Sequence, residues 1–503
     1  VIQAQAAAEA PEVQAMPARH ALHRIREIGL IATLAWAPLP FGSARAWAWD
    51  LLGILALALL GLSVAYETMR PSRTGMLRPL LPALVMGGLV AAWIVFQSLP
   101  WNLFGLHHPL WDRASEVLGR SLDTSLSIDR EASRVHFFRL MTYAAFFFVA
   151  WQIGRRPEAA HRVLRAFAVV ATAYALYGLV EFVSPDPRIL WFIKDTYITD
   201  ITATFVNRNS FATFAGLAVI AHLVLIADVL ARKTDVRSRR SFLLSLADGL
   251  LGDAKWLVLG LIVCGGSLLM SHSRGGLIAA LAAVAVMMVL ILMAPAARAP
   301  WRFWFVGIGG LGLAVIVLLT GATTFDRLDE MSKDLEMRPK IDAAVIRAIG
   351  DNWLTGTGYG SFADIFPLYQ PLNVVGYVDL AHNDYLENAL ELGVPGAALL
   401  VATVLYLAGQ CLVGIFRRRR DVIYPLAGVA ATVMVGVHSA FDFSLQIPAV
   451  TVTYAVILGL GVAQAVRSSR PEAPPRSAAD EAHRSGRRNR ARSASRPTRA
   501  EHP

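Results

Sequence analysis

Apolar residues in this chain come in runs of about twenty, separated by short arginine-rich breaks, which is the length a helix needs to cross a hydrocarbon core. Inside a bilayer every backbone N–H and C=O must be satisfied within the segment, so runs of this kind fold as spanning helices. The composition agrees, with 55% hydrophobic and 17% charged residues in 503. The expected class is all-α, a polytopic transmembrane helical bundle of about twelve spans. Hydropathy centres them near residues 28–42, 48–66, 79–98, 137–153, 163–183, 210–230, 256–271, 276–293, 303–320, 396–416, 423–438 and 447–466. The chain then divides into an N-terminal segment 1–27, a first part of the bundle 28–320, a large extramembrane loop 321–395 with amphipathic helices, a last part of the bundle 396–466, and a basic tail 467–503.

Arginine and lysine predict the orientation. The breaks at 19–26, 70–78, 155–165, 232–240, 298–302 and 417–420 are basic and fall on alternate sides of successive spans, which puts both termini in the cytoplasm. The formal charge of +10 reflects this topology together with the tail, where arginines stand among Ser, Pro and Ala. Such a tail is expected to be disordered and to lie against anionic headgroups. No aromatic residue is interleaved with its arginines, which argues against nucleic-acid binding. The two cysteines, Cys264 and Cys411, both fall inside expected spans, so a disulfide framework and a CxxC metal site are excluded.

The unusual polar residues gather on the outer face. His382 stands at the entrance of a short helix: Asp384 and Glu387 have capping-box spacing, and Gly393 with Pro395 reads as a stop. Amide dipoles at a helix start disfavour a cation, which makes His382 a candidate proton acceptor, the alternative being a histidine satisfied within a folded loop. Arg274 occupies a break of a few residues between two long apolar runs, where positive charge needs compensation. A phosphate would supply it, through paired guanidinium hydrogen bonds and the open amides of Gly275 and Gly276. The alternative is an interfacial arginine snorkelling to headgroups or paired with a structural carboxylate. Arg338 opens a stretch with Ile341, Ala344, Val345, Ala348 and Ile349 at helical spacing, expected as an amphipathic helix on the membrane surface. Arg208 lies between Asn207 and Asn209, either of which suits a helix cap. His438 and Asp442, one helical turn apart, suit a structural pair. Glu181 is an intramembrane carboxylate, either a site residue or the partner of an arginine. The glycines of Gly356-Thr-Gly-Tyr-Gly360 read as a tight loop. No Walker A, H-E-x-x-H or G-x-S-x-G occurs, and no Asp-x-Asp pair stands on the outer face to hold a metal.

Taken in order, Ser273-Arg-Gly-Gly276, Arg338, Asn352-Trp-Leu-Thr-Gly-Thr-Gly-Tyr-Gly-Ser-Phe362, Ala381-His-Asn-Asp-Tyr-Leu386 and Glu391-Leu-Gly-Val-Pro-Gly396 resemble the O-antigen ligase and polysaccharide polymerase family of bacterial envelope proteins, over residues 200–466. The resemblance implies a multi-pass inner-membrane enzyme with its active site facing the periplasm. It would move a glycan from undecaprenyl diphosphate to an acceptor sugar or glycolipid, without metal, nucleotide or other cofactor. It further implies Arg274 and Arg338 as diphosphate clamps, Arg208 as a weaker third, and His382 as the base that deprotonates the acceptor hydroxyl. In-line attack at C1 would invert the anomeric centre. The stretches Thr124–Arg130 and Val437–Ala449 resemble the exopolysaccharide-polymerase branch more than the ligases. Two other readings share these features. A transporter or flippase for an anionic or lipid-linked solute would also want arginines, but near the bilayer midplane and on both faces. A protein oligosaccharyltransferase would share the donor and differ in acceptor.

Overall fold

The computed structural model describes residues 2–69, 77–100, 105–233, 248–295, 331–418 and 420–466, with isolated positions at 244 and between 302 and 310. The span expected at 303–320, the basic breaks at 70–76, 234–240 and 298–300, and the tail from 467 lie largely or wholly outside the described residues.

The protein is mostly helical. Its helices in chain order are α1 (Ile2–Trp36), α2 (Ala46–Thr68), α3 (Leu81–Ser98), α4 (Leu110–Leu118), α5 (Arg130–Gly154), α6 (Pro157–Phe182), α7 (Arg208–Lys233), α8 (Lys255–Met270), α9 (Arg274–Met293), α10 (Met331–Asn352), α11 (Phe362–Ile365), α12 (Asp384–Arg417), α13 (Ile423–His438) and α14 (Pro448–Val466). A single two-residue hairpin, β1 (Arg188–Ile189) with β2 (Phe192–Ile193), pairs Arg188 with Ile193. Eight of the described helices are long and apolar enough to cross a membrane, and α8 and α13 are shorter apolar helices. The expected run at 28–42 is interrupted: α1 ends at Trp36, and a turn through Phe41–Ser43 leads to α2.

Helices α7 and α14 form the centre of the bundle, with 78% and 83% of their apolar windows buried. Helix α14 packs on α5, α13 and α12, and α13 packs on α9 and α7. The chain direction of these helices separates two polar ends. At one end Arg26 bonds Gln152, Arg162 chelates Glu27 (Nη2–Oε2 2.7 Å), Arg156 bonds the Tyr66 hydroxyl and Arg418 bonds Gln464. At the other lie the starts of α5, α7, α9, α12 and α14 and the end of α13.

A second, smaller core stands on that other end. Ile341, Ala344, Val345 and Ala348 of α10 are buried against Phe362, Ile365, Phe366 and Leu390. The apolar stripe read from the sequence exists, but it faces protein rather than the membrane surface, because the loop after α10 folds back over it. Helix α12 joins this core to the bundle through a break. Gly393 (φ 73°, ψ 159°) leaves helical geometry, and Pro395 has no N–H to give to the Glu391 carbonyl. The expected stop is therefore a kink, beyond which the helix resumes. Each carbonyl it strands has a new donor: Leu390 O takes the Thr357 N–H, Glu391 O takes Gly358 N–H and Gln97 Nε2, and Leu392 O takes Trp93 Nε1, while the Val394 N–H turns to Trp353 O. Buried backbone groups are thus satisfied around a broken helix. The tight loop 356–360 makes this possible. Its three glycines have positive φ, and a Cβ at any of them would strike Glu391 O, Ser127 or His136.

Candidate active site

At the polar end His382, Arg338 and the start of α9 beside Arg274 meet on the loop between α13 and α14, while Arg208 and Glu181 find partners elsewhere. His382 Nδ1 lies 3.1 Å from Asp442 Oδ1, and its ring packs on Phe443 with centroids 4.8 Å apart. Arg338 Nη1 donates to the Phe441 carbonyl at 2.6 Å. Gly275, next to Arg274, abuts the same loop, since a Cβ there would meet the His438 ring at 3.2 Å and Phe441 at 3.3 Å. Three segments far apart in sequence, the starts of α9 and α12 and the first turns of α10, therefore converge on residues 438–443.

His382 is held in an unfavourable conformation. Its φ of 53° is left-handed, a state that costs a non-glycine residue about 1 to 3 kcal/mol and persists only where surroundings impose it. Here they do. Asn383 caps α12, its side-chain oxygen accepting from the N–H groups of Tyr385 and Leu386, so the cap falls one residue before the expected Asp384. Glu387 reaches back to the Ala381 N–H (2.8 Å) and takes Gln446 Nε2 (2.9 Å). Asp384 donates its N–H to Ser439 O and accepts the Ser439 hydroxyl at 2.7 Å. These bonds tie both sides of His382 to the α13–α14 loop.

The pairing fixes which nitrogen can work as a base. With Nδ1–H donated to Asp442, the lone pair of the neutral ring is on Nε2. Asp442 is 2% exposed. Burial alone would push its carboxyl up, but the hydrogen bond and field of His382, with the Phe443 N–H, hold it below the ordinary carboxylate range. The expected His438–Asp442 pair does not form. Helix α13 ends at His438 and the chain turns, so Asp442 swings to His382 while His438 Nδ1 meets Thr213 (2.5 Å) and Ser444 (2.8 Å).

The arginines differ. Arg274 is the first residue of α9, exposed, and without a hydrogen-bond or carboxylate partner among the described residues; Ser273 caps that helix by accepting the Gly276 N–H. The Gly276 amide, expected to be open, is thus taken by Ser273, and it is the guanidinium of Arg274 at the positive end of the helix dipole that concentrates positive field at one point, an arrangement suited to an anion. Arg338 spends one N–H on Phe441, and Asp342 lies one helical turn along α10; burial raises the Asp342 carboxyl, against the lowering fields of Arg338 and His382. Arg208 is already committed: Nη1 lies 2.7 Å from Asp200, and its guanidinium stands over Tyr197. Asn207 supplies the side-chain bond at that helix start, to the Asn209 N–H.

Two residues were not legible beforehand. Asp200, 3% exposed, binds Arg208 with one oxygen and His272 Nδ1 with the other, at 2.7 Å each. His272 has positive φ (51°) and precedes the cap of α9, as His382 precedes the cap of α12. Each is thus a strained histidine before a helix start, paired through Nδ1 with a buried aspartate. Asp200 carries no sequence signal, being a loop residue outside any periodic pattern. Glu181, read as a candidate partner for an arginine, instead pairs with the buried Lys194 at 3.0 Å. No group of three His, Cys, Asp or Glu side chains suited to a metal occurs among the described residues.

Residues 259–401, which carry Arg274, Arg338 and His382, match the family model described as O-antigen ligase. No curated protein matches the chain. The match supports assignment to the O-antigen ligase and polymerase family, and with it a multi-pass inner-membrane protein with a ligase or transferase theme.

Proposed function

We propose that this protein transfers a glycan from an undecaprenyl-diphosphate-linked donor to an acceptor sugar at the periplasmic face of the inner membrane. The observation that carries the reading is the His382–Asp442 pair meeting Arg338 and the start of α9 on one loop. Asp442 orients the ring, and His382 Nε2 takes the proton of the acceptor hydroxyl. The hydroxyl oxygen forms a bond to C1 of the donor sugar from the face opposite the leaving group. The C1–O bond breaks, and its electron pair departs on the diphosphate. Charge grows on that leaving group as the bond breaks, and fixed guanidinium groups act where charge develops. Arg274 and Arg338 fill that role, with Arg208, already neutralised by Asp200, contributing less. Attack in line inverts the anomeric centre. No step draws on a metal or nucleotide.

The reading includes about twelve crossings with both termini cytoplasmic, supported by the gathering of Arg26, Arg156, Arg162 and Arg418 at the end opposite His382. One-sided placement of the candidate groups favours an enzyme over a transporter, whose polar groups would lie near the midplane.

Leu372 is fully exposed on the loop above the smaller core, which makes it a reporter of sidedness. In a chain lacking Cys264 and Cys411, Leu372→Cys should react in cells with a thiol reagent that passes the outer membrane and not the inner. Reaction only after the inner membrane is broken would invert the topology and remove a periplasmic site.

A further inference from the structure

The hairpin β1–β2 exposes what a hairpin in water hides. Trp191, Phe192 and Ile193 are 71%, 51% and 74% exposed. Two strands of two residues have no stability of their own, so the structure around them must hold them in place. It does so from α6: the Tyr177 hydroxyl takes the Leu190 N–H at 2.7 Å and donates to the Arg188 carbonyl, and the Lys194 N–H closes on Pro187 O. Ile189 alone of the hairpin's apolar side chains is fully buried. The exposed apolar surface is thus presented by fixed backbone.

That surface continues a lipid-facing one. On α6 the exposed large side chains are Val169, Leu176 and Val180, at helical spacing along one face, followed by Val183 just beyond its end. In a spanning helix such a face meets acyl chains, and the hairpin is held beside it near the end of the span by Tyr177, the residue next to Leu176. Phe41 packs edge-on to Phe192, and Trp47, 59% exposed, packs on Trp36. Aromatic residues grouped at a span end are the composition of a membrane–water interface. Exposed Asp186, Arg188 and Asp195 flank the apolar tip, giving it the polar border of an interfacial element.

We infer that the β1–β2 hairpin is an interfacial anchor, with Trp191, Phe192 and Ile193 seated in the phospholipid leaflet on the His382 side of the bundle. The next residue gives the anchor a consequence. Lys194 is buried, its ammonium bound to Glu181 and to the Asp200 carbonyl at 2.7 Å, and Asp200 holds Arg208 and His272. A hairpin fixed in the leaflet therefore fixes the height of that cluster relative to the headgroups. The inference rests on exposure and continuity, independent of the proposed reaction.

The test is depth. Ile193→Cys and Val183→Cys, in the full chain lacking Cys264 and Cys411 and reconstituted in phospholipid nanodiscs, are spin-labelled and compared for collision with oxygen and with a water-soluble nickel chelate. Asp195→Cys serves as the aqueous control. Both hairpin-side labels should favour oxygen over the chelate, the reverse of Asp195→Cys. Chelate access equal to the control would put the hairpin in water and overturn the inference. Shielding from both reagents would mean a protein contact, and would overturn it as well. If Ile193→Cys fails to fold, Phe192→Cys is read in its place by the same criterion.

Discussion

His382→Ala should slow glycan transfer by about a hundredfold to ten-thousandfold, the contribution typical of a positioned general base. Folding and donor binding should survive, because the backbone bonds around residue 382 are made by Asn383, Asp384 and Glu387 and the arginines stand on other elements. The left-handed backbone at His382 would accept a glycine with less strain, which offsets part of the cost of leaving the buried Asp442 without its partner, so His382→Gly should keep the fold while transfer is lost. His382→Gln keeps a hydrogen-bonding side chain and takes no proton, and should not rescue. Asp442→Asn tests orientation, since an amide that donates to Nδ1 would move the ring proton to Nε2 and block it as an acceptor. Its transfer should fall with little change in donor affinity. The measurements are transfer rate, donor affinity and thermal midpoint side by side. Equal loss of all three in His382→Ala would make His382 a structural residue.

The second large effect is at Arg274. Arg274→Lys keeps the charge and removes the two-pronged donor geometry. Losing one charge-assisted contact of about 1.5 to 3 kcal/mol should cost roughly tenfold to a hundredfold in turnover. Among the described residues nothing else pairs with this guanidinium, so fold stability should hardly change. Arg208→Lys should cost less, because Asp200 already takes part of that charge. Wild-type turnover in Arg274→Lys at normal expression would leave Arg274 with a topological role only.

Much of the scaffold was legible because bilayer length and hydropathy impose it. The long apolar runs emerge as helices at 46–68, 81–98, 130–154 and onward, since no other structure satisfies a backbone in lipid. The helix start after His382 and the tight 356–360 loop were readable from cap and glycine chemistry, which are local. What failed depended on long-range pairing. The stripe of α10 reveals that one face is buried, and periodicity carries no information on whether lipid or Phe362 covers it. The spacing of His438 and Asp442 suggests a shared helix face, but α13 ends at 438 and frees Asp442 for a histidine sixty positions away in sequence. Likewise Gly393 and Pro395 correctly mark a break, while Gln97, Trp93 and the 356–358 amides that let the helix resume come from distant segments. Asp200 was invisible for the same reason: only the fold brings it beneath Arg208 and His272.

The central claim is that this chain by itself joins glycans from a lipid diphosphate, with His382 as base. The direct measurement is turnover by the purified protein in phospholipid nanodiscs, with a defined undecaprenyl-diphosphate oligosaccharide as donor, a metal chelator present, and no nucleotide. Products are resolved on longer lipid-linked glycan, on acceptor glycolipid and on protein, with the new linkage's anomeric configuration determined. The account predicts released undecaprenyl diphosphate in step with an elongated or transferred glycan, inverted at C1, and little of either from His382→Ala. Retention of configuration, or undiminished transfer in His382→Ala, would contradict it.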